Sequence, residues 1–364
     1  MYRLYGVEIS LFSSKVRAYM NYKGLNYEEK APNILDFRRF EKAVNARVMP
    51  VVETQEGDLL GDTSLIIEAL ERQHPEPSIT PKSGRLKIAA MLFEAWVDEV
   101  NHLIAGHTRW SYDENFPLFR DTMGKAMFPF LPKFLQDWMV GKTAVSAMRK
   151  HKPRMGFVPD QIPLLDRWIV RLLDSLEVHF QDHDYLFGGK PTVADFALVG
   201  CCHGHLYMDP WPRRELIEPR PHLKAYTERV HSGKQATGEW FSDDELPDTL
   251  MSVISMMFTQ LYAINEQTVD IVENLIEKKH KQSGDILPRF PGNIDLPMLD
   301  ETYNKMTFSY SLWMLQRIQQ ACSELTKSES SSLSHWFEAM GVKNFEKLSC
   351  GPALIRHGLT VKLA

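Results

Sequence analysis

The chain has 364 residues, and 44% of them are hydrophobic. A chain of this length is longer than one small hydrophobic core usually organises, so we expect two or three domains. The formal net charge is −5, with 42 Lys and Arg against 47 Asp and Glu. This near balance shows no excess of basic residues of the kind that binds nucleic acid or an anionic membrane. The opening MYRLYGVEIS lacks the pattern of a secretory leader, and no stretch reaches the roughly 18 apolar residues of a membrane span. Four cysteines without a CxxC spacing do not fit a disulfide framework or a zinc ribbon. These features favour a soluble, cytoplasmic protein.

The first eighty residues alternate between strand and helix patterns. Period-2 and helical spacings, with turn residues between them, predict a βαβ unit, a short helix and then a ββα unit. In chain order these are YRLYGV, SSKVRAYMNYKG, LNYEEKAP, DFRRFEKAV, the hairpin MPVVETQEGDLL and TSLIIEALERQH. The three prolines of HPEPSITP then mark a linker.

After the linker the pattern is helical. Long amphipathic segments begin at Arg85, Pro163 and Pro247, and shorter ones lie at 192–207 and 221–233. Towards the C-terminus we expect a Pro/Gly loop in SGDILPRFPGNIDLPML, a helix in TFSYSLWMLQRIQQACSEL and a flexible turn in SESSSLS. The predicted division is 1–80, 86–239 and a helical extension at 240–364.

Three short motifs carry a resemblance to a known family. SLFSSKVRAYMNYKG, VMPVV followed by GDTSLIIEALE, and LFGGKPTVADFALVG occur in the order and spacing of the cytosolic glutathione transferases, and the match covers roughly residues 2–235. The chain most resembles bacterial members that use serine, with a C-terminal extension. The resemblance implies an α/β thioredoxin-like N-terminal domain that binds glutathione, followed by an all-α domain that lines an electrophile pocket.

The resemblance places a catalytic hydroxyl at the end of the first strand. Ser10 occupies that position, and its O–H would stabilise the glutathione thiolate rather than attack the substrate. Ser13 is the alternative, although an N-cap role suits it better, and Tyr5 is a third candidate that suits core packing. No cysteine lies among the first 200 residues, which excludes mixed-disulfide chemistry of the omega or glutaredoxin type.

The peptide part of glutathione has its own predicted residues. The resemblance implies a cis bond at Pro50, which would let the Met49 backbone pair with the tripeptide as an added strand. Asp62 and Thr63 begin a helix, where they either cap it or hold the γ-glutamyl ammonium and carboxylate. The family usually has Glu or Gln at the position of Asp62.

The glycyl carboxylate of glutathione needs a cation. Arg38, Arg39, Lys42 and Arg47 lie on or just after the second helix, and we favour Lys42 and Arg39, although a merely solvated charged face is the alternative.

An apolar electrophile pocket is predicted on the helical side. Phe12, Trp110, Tyr112 and Phe116 are its candidate lining, and core packing around proline-broken helices explains the same aromatics equally well.

The sequence CCHGH at 201–205 suggests a metal site at first sight. No single helical face gathers all four Cys and His side chains, so we interpret them as helix packing and expect no metal. The TVAD segment at 192–195 fits a capping box and is interpreted as structural.

These observations predict a glutathione transferase-like detoxification enzyme acting on a hydrophobic electrophile. Conjugation, ether cleavage by a lyase, reductive dehalogenation and isomerisation share the glutathione-binding step and are not separated. Glutathione is the co-substrate, no nucleic-acid or membrane partner is expected, and the family implies a homodimer. A non-catalytic glutathione transferase-like binding or scaffold protein is the alternative, and a membrane-associated adaptor acting through the C-terminal helices is a third interpretation.

Overall fold

The computed structural model describes residues 1–242 and 246–364, with helices and strands in the following chain order. Eight strands lie at Tyr2–Tyr5 (β1), Tyr27–Lys30 (β2), Val51–Glu53 (β3), Leu59–Gly61 (β4), Asn293–Met298 (β5), Glu301–Met306 (β6), Leu354–His357 (β7) and Thr360–Leu363 (β8). The first seven α-helices are Leu11–Tyr22 (α1), Ile34–Val44 (α2), Thr63–Gln73 (α3), Gly84–Trp110 (α4), Phe116–Met127 (α5), Lys133–Val140 (α6) and Ser146–His151 (α7). The others are Ile162–Asp182 (α8), Val193–Cys201 (α9), Pro210–Pro212 (α10), Pro221–Ser232 (α11), Asp248–Lys279 (α12), Ser309–Ser323 (α13) and Lys327–Ala339 (α14).

The chain divides into two compact units. The first comprises residues 1–79, 100–153 and 195–237, and the second comprises 80–99, 154–194 and 238–364. The division at 80, 86 and 240 that the sequence suggests stays a prediction.

The first unit contains the four-stranded sheet, in the order β2-β1-β3-β4. β1 pairs with β2 in parallel and with β3 antiparallel, and β3 pairs antiparallel with β4. This mixed βαβ-ββα sheet is the predicted thioredoxin-like domain. Tyr5 and Val51 lie opposite each other and pack against Phe40 and Val44 of α2, because side chains opposite in register share a face of the sheet.

The helices of the first unit pack on the sheet and on each other. α1 contacts α3 and α11, and it is buried over almost its whole length. A second cluster joins Val7 and Ile9, which follow β1, to Phe119 and Met123 of α5 and to Val140 of α6. The helical domain expected after the thioredoxin-like domain is confirmed.

The second unit adds strands to its helices. α8 and α12 pack together, the hairpin β5–β6 packs on α12, and the hairpin β7–β8 contacts α13. The core beneath β7–β8 contains Val269, Leu312 and Val361. The sequence had suggested a helical extension, and the structure shows two β-hairpins in it beside the helices.

Two local predictions in the extension are wrong. β5 lies inside the segment expected to be a Pro/Gly loop, because Pro297 is tolerated on a strand that pairs on one side only. The segment SESSSLS lies within α14 rather than in a flexible turn. Thr326 and Glu329 form a capping box that starts this helix and offsets the weak helix propensity of its serines.

Candidate functional site

Ser10 lies at the N-terminus of α1. Its backbone is extended, with φ −95° and ψ 126°, and its hydroxyl oxygen accepts a hydrogen bond from the Ser13 N–H at 3.3 Å. The side chain is half-buried. Among the hydrogen bonds of the described residues, the Ser10 O–H donates none. The hydroxyl is therefore accessible and has a hydrogen left to donate.

Ser13, the alternative catalytic residue, is fully buried. Its hydroxyl has no hydrogen-bond partner within the part of the chain that the structure describes. Gly6 of the turn after β1 lies against it so closely that a Cβ on Gly6 would come within 2.7 Å of the Ser13 Oγ. Ser13 thus faces the strand end, and Ser10 is the accessible hydroxyl of the two.

Arg109 at the end of α4 holds the chain just before Ser10. Its Nη1 donates to the Ile9 carbonyl at 2.8 Å, and its Nη2 donates to the Gly204 carbonyl at 3.0 Å. Both Nε and Nη2 also donate to the Asp209 carboxylate, at 2.7 and 3.0 Å. Burial raises the pKa of Asp209, and Arg109 opposes that shift. A buried charge pair of this kind persists because every polar atom has a partner.

Two glycines complete the contact with the start of α1. A Cβ on Gly204 would lie 2.9 Å from the Ser10 carbonyl oxygen, and one on Gly200 would lie 2.9 Å from the Leu11 carbonyl oxygen. Only residues without a side chain allow the two backbones to approach so closely. We call Arg109, Asp209, Gly200 and Gly204 the clamp. The clamp was not predicted from the sequence, although the Gly-x-x-x-Gly spacing in GCCHG was an available signal for its glycines.

Met49 precedes the third strand. The Met49–Pro50 peptide bond is cis, as predicted. Among the described residues, no hydrogen bond involves the N–H or C=O of Met49, whereas Val51 onward is paired on both sides. Because an unpaired backbone N–H and C=O at the end of a strand can form hydrogen bonds to another chain, an extended peptide could bind at Met49.

Asp62 caps α3. Its Oδ1 accepts hydrogen bonds from the Ser64 and Leu65 N–H groups at 3.1 and 3.3 Å. Asp62 itself has a positive φ of 79°. Thr63 is buried, with 8% of its surface exposed. The capping interpretation of Asp62 is confirmed, and ligand binding by this pair stays a prediction.

The two favoured cations differ in their surroundings. Arg39 donates to Glu53 Oε1 at 2.6 Å and to the Tyr5 hydroxyl oxygen at 3.4 Å. The hydrogen bond from Arg39, more than any other contact, lowers the pKa of Glu53 to about 2. Tyr5 is buried and donates to Glu53 at 2.8 Å, which agrees with a packing role. Lys42 is exposed and has no ion-pair or hydrogen-bond partner among the described residues.

Lys42 lines an open groove of about 670 Å³ between α2 and the turn that joins β3 to β4. Arg38 and Arg39 also line it, with Asp58 as the one carboxylate among its lining residues. The excess of cations suits an anionic group.

The four aromatics predicted to line a pocket do not form one cluster. The Trp110 ring lies 5.9 Å from that of Phe116, so these two are neighbours. Tyr112 instead stacks on Trp211 at 3.4 Å, and Phe12 lies against His102 at 5.4 Å. Trp110 also packs against the cluster around Ile9. Their role as a pocket stays a prediction.

The cysteines and histidines at 201–205 lie in the interior. Burial raises the pKa of Cys202 to about 12 and holds the pKa of His205 well below its ordinary value. The His203 ring stacks on His231, with centroids 3.3 Å apart. In residues 1–242 and 246–364 no group of three His, Cys, Asp or Glu side chains is arranged to hold a metal ion. No helix of that part is long and apolar enough to cross a bilayer.

Comparison with protein families gives two matches. Residues 4–78 match the glutathione S-transferase N-terminal domain, and residues 160–229 match the glutathione S-transferase C-terminal domain. Residues beyond 229 lie outside both matches. No curated protein matches the chain.

Solved structures give distant similarities. A glutathione S-transferase from Rhodospirillum rubrum F11 is 21% identical, with a TM-score of 0.39, and the alignment covers 63% of this chain and 87% of that one. A beta-etherase, LigF, from Sphingobium sp. strain SYK-6 is also 21% identical, with a TM-score of 0.44 and coverage of 63% and 94%. A GST-like protein from Pseudomonas syringae is 17% identical, with a TM-score of 0.43 and coverage of 84% and 96%.

Proposed function

Because this chain belongs to the glutathione S-transferase family, we propose that it binds reduced glutathione on its thioredoxin-like domain and transfers the thiolate to a hydrophobic electrophile. One observation carries the proposal: Ser10, at the N-terminus of α1, has an accessible hydroxyl with a hydrogen to donate, whereas Ser13 is buried. A hydrogen bond from Ser10 to the glutathione sulfur favours the thiolate over the thiol, because it stabilises the charged form.

The clamp is the positioning machinery of this proposal. Arg109 fixes the carbonyl of Ile9, and Gly204 lies against the carbonyl of Ser10, so the Ser10 backbone has little freedom to shift. A fixed donor needs no reorganisation when charge develops on the sulfur. Arg109 and Gly204 act through Ser10 and touch no reactant.

The peptide part of glutathione pairs with the Met49 N–H and C=O as an added strand. The γ-glutamyl end lies at the start of α3, where Thr63 and the helix dipole favour its carboxylate and Asp62 its ammonium. The glycyl carboxylate meets Lys42, with Arg39 beside it. Lys42 is the better candidate, since Arg39 already pairs with Glu53.

The electrophile binds on apolar surface that includes Phe12, Trp110, Tyr112 and Phe116. Holding both reactants in one cleft contributes to the rate by removing the entropic cost of their encounter. Conjugation, ether cleavage, dehalogenation and isomerisation all begin from this arrangement. The active form is a cytoplasmic homodimer with a role in detoxification.

A non-catalytic glutathione-binding or scaffold protein is the second candidate. Two observations favour it: the Asp62 carboxylate is engaged on the backbone of α3, and Trp110 packs into an apolar cluster. In this case glutathione, if bound, stabilises the fold without turnover.

Glutathione-agarose retention followed by turnover on a panel of electrophiles separates the candidates. For the enzyme we expect retention, turnover, and a loss of kcat of at least tenfold in Ser10→Ala but not in Ser13→Ala. Retention without turnover, with Ser10→Ala behaving like the parent chain, supports the scaffold. Absence of retention and of turnover overturns both.

A further inference from the structure

The segment that joins α5 to α6 is an apolar tip. Residues 126–132 read AMFPFLP and contain no polar side chain. Phe130 is 97% exposed, and Phe134 and Trp138 of α6 are 70% and 57% exposed. Phe134 and Trp138 are four residues apart on α6, which places them on one face of that helix, and Phe130 lies in the loop just before it. We call Phe130, Leu131, Phe134 and Trp138 the aromatic row.

The aromatic row is not the face by which α6 packs into its own unit. Gln136 and Val140 are the buried residues of α6, and they lie two residues along from Phe134 and Trp138, on the opposite side of the helix. Val140 packs with Phe119 and Met123 of α5. The outer side of α6 therefore exposes large apolar side chains to water, although it is not the side that packs into the unit. Contiguous exposed apolar surface of this kind marks an interaction site.

The charge around the aromatic row differs from that of the whole chain. Residues 120–153 contain seven Lys or Arg against two Asp, a formal +5 in a chain whose net charge is −5. Lys142 is exposed and continues the four-residue spacing from Trp138. The Nζ groups of Lys125 and Lys133 share Asp121 at 2.6 and 3.1 Å, and both side chains remain largely exposed. No Asp or Glu occurs between Asp137 and Asp160.

We infer that the aromatic row binds the surface of an anionic lipid bilayer. Phe and Trp are the side chains that enter the headgroup boundary, and lysines beside them attract anionic headgroups. The tip offers no side-chain donor or acceptor with which to read a nucleic acid or to pair with a polar protein surface. The chain lies on the bilayer and does not span it.

This inference revises the expectation of no membrane partner. That expectation rested on the near balance of charges over the whole chain, but the acidic residues are not spread evenly along it. Because charges are screened beyond roughly 10 Å at 0.1 M salt, the local charge decides binding at a surface.

Sedimentation with vesicles tests the inference. Full-length protein is mixed with vesicles of phosphatidylcholine alone, or of phosphatidylcholine with phosphatidylserine, at low and at high salt. We expect binding to the anionic vesicles that weakens with salt, and an affinity at least tenfold lower in Phe130→Ser/Phe134→Ser. Lys142→Glu/Lys150→Glu should lose the preference for phosphatidylserine.

Val170→Ser/Val178→Ser is the matched control, because it removes two exposed apolar side chains of α8. It should bind like the parent, and circular dichroism establishes that all variants fold. The inference is overturned if the parent chain stays in the supernatant, or if the phenylalanine variant binds as the control does. It is also overturned if single-stranded DNA or self-association, and not vesicle binding, proves sensitive to Phe130→Ser/Phe134→Ser.

Discussion

The Arg109 guanidinium donates a hydrogen bond to the Ile9 carbonyl, one residue before Ser10, at 2.8 Å. The same guanidinium holds the fully buried carboxylate of Asp209 through two hydrogen bonds. A single side chain at the end of α4 therefore fixes the start of α1. This contact explains why a charged residue is buried at the end of α4.

Removing Arg109 should destabilise the protein strongly. Arg109→Met leaves Asp209 buried without a partner, and losing one member of such a pair costs about 3–5 kcal/mol of unfolding free energy. Urea denaturation measures the change. Arg214→Met is the matched control, because Arg214 makes a similar two-bond pair with Glu114 on the surface. We expect the control to unfold like the parent. Equal effects in the two variants would contradict a special role for Arg109.

Gly204→Ala should disturb the start of α1. The new methyl group would lie 2.9 Å from the Ser10 carbonyl oxygen, and relieving that overlap by moving backbone costs about 1–3 kcal/mol. Gly141→Ala is the control, since no heavy atom lies within 4 Å of a Cβ there and alanine favours helix. Thermal unfolding should show a lower midpoint for Gly204→Ala and an unchanged or higher one for Gly141→Ala. An unchanged midpoint in Gly204→Ala would contradict the close approach of Gly204 to the Ser10 carbonyl.

The stacked pair His203 and His231 should make the fold sensitive to acid. Burial, together with the charge of Arg17, lowers their pKa values to about 3 and about 4. Their ordinary pKa is near 6.5, so the unfolded chain binds protons first as the pH falls. The two neutral histidines make their full contribution to the free energy of unfolding above pH 6.5, and this contribution is lost as the pH falls towards 4. The slope is about 1.4 kcal/mol per pH unit for each histidine.

His231→Phe separates this effect from general acid unfolding. The ring remains for stacking on His203, but it no longer titrates. Unfolding free energies from urea at several pH values should therefore fall less steeply in His231→Phe than in the parent between pH 6.5 and 4. Parallel profiles would contradict the assignment.

Lys42 should matter for glutathione affinity. It has no ion-pair or hydrogen-bond partner in the described part of the chain and lies in the groove beside Arg38 and Arg39. Lys42→Ala should weaken glutathione binding about three- to tenfold, an effect that shrinks at high salt because the groove is open. Calorimetric titration measures it, with Arg72→Ala as the control, because Arg72 is an exposed cation of α3 outside the groove. An equal loss in Arg72→Ala would point to a general charge effect.

The sequence predicted the thioredoxin-like sheet because each element there has local signals. The alternation in β1, the turn at Gly57 and the oxygen-rich start of α3 lie within a few residues of one another. The hairpin β5–β6 was missed because Pro297 and nearby prolines resemble a loop, although Ile294 and Leu296 alternate inward.

The candidate site was predicted less completely. The position of Ser10 and the cis bond at Pro50 followed from a motif, whereas the clamp depends on residues about a hundred positions apart in the chain. A single sequence carries no signal for the pairing of Arg109 with Asp209, because neither spacing nor periodicity relates them. The sequence left two roles open for Asp62, capping of α3 and binding of a ligand, and the structure shows the cap.

The ionisation of the bound glutathione thiol tests the central claim most directly. The thiolate absorbs in the ultraviolet, so a pH titration of the complex gives its pKa. We predict a pKa below the ordinary thiol value of about 8.5, a return towards that value in Ser10→Ala, and no change in Ser13→Ala. A bound thiol whose pKa is the same in the parent and in Ser10→Ala would contradict the account.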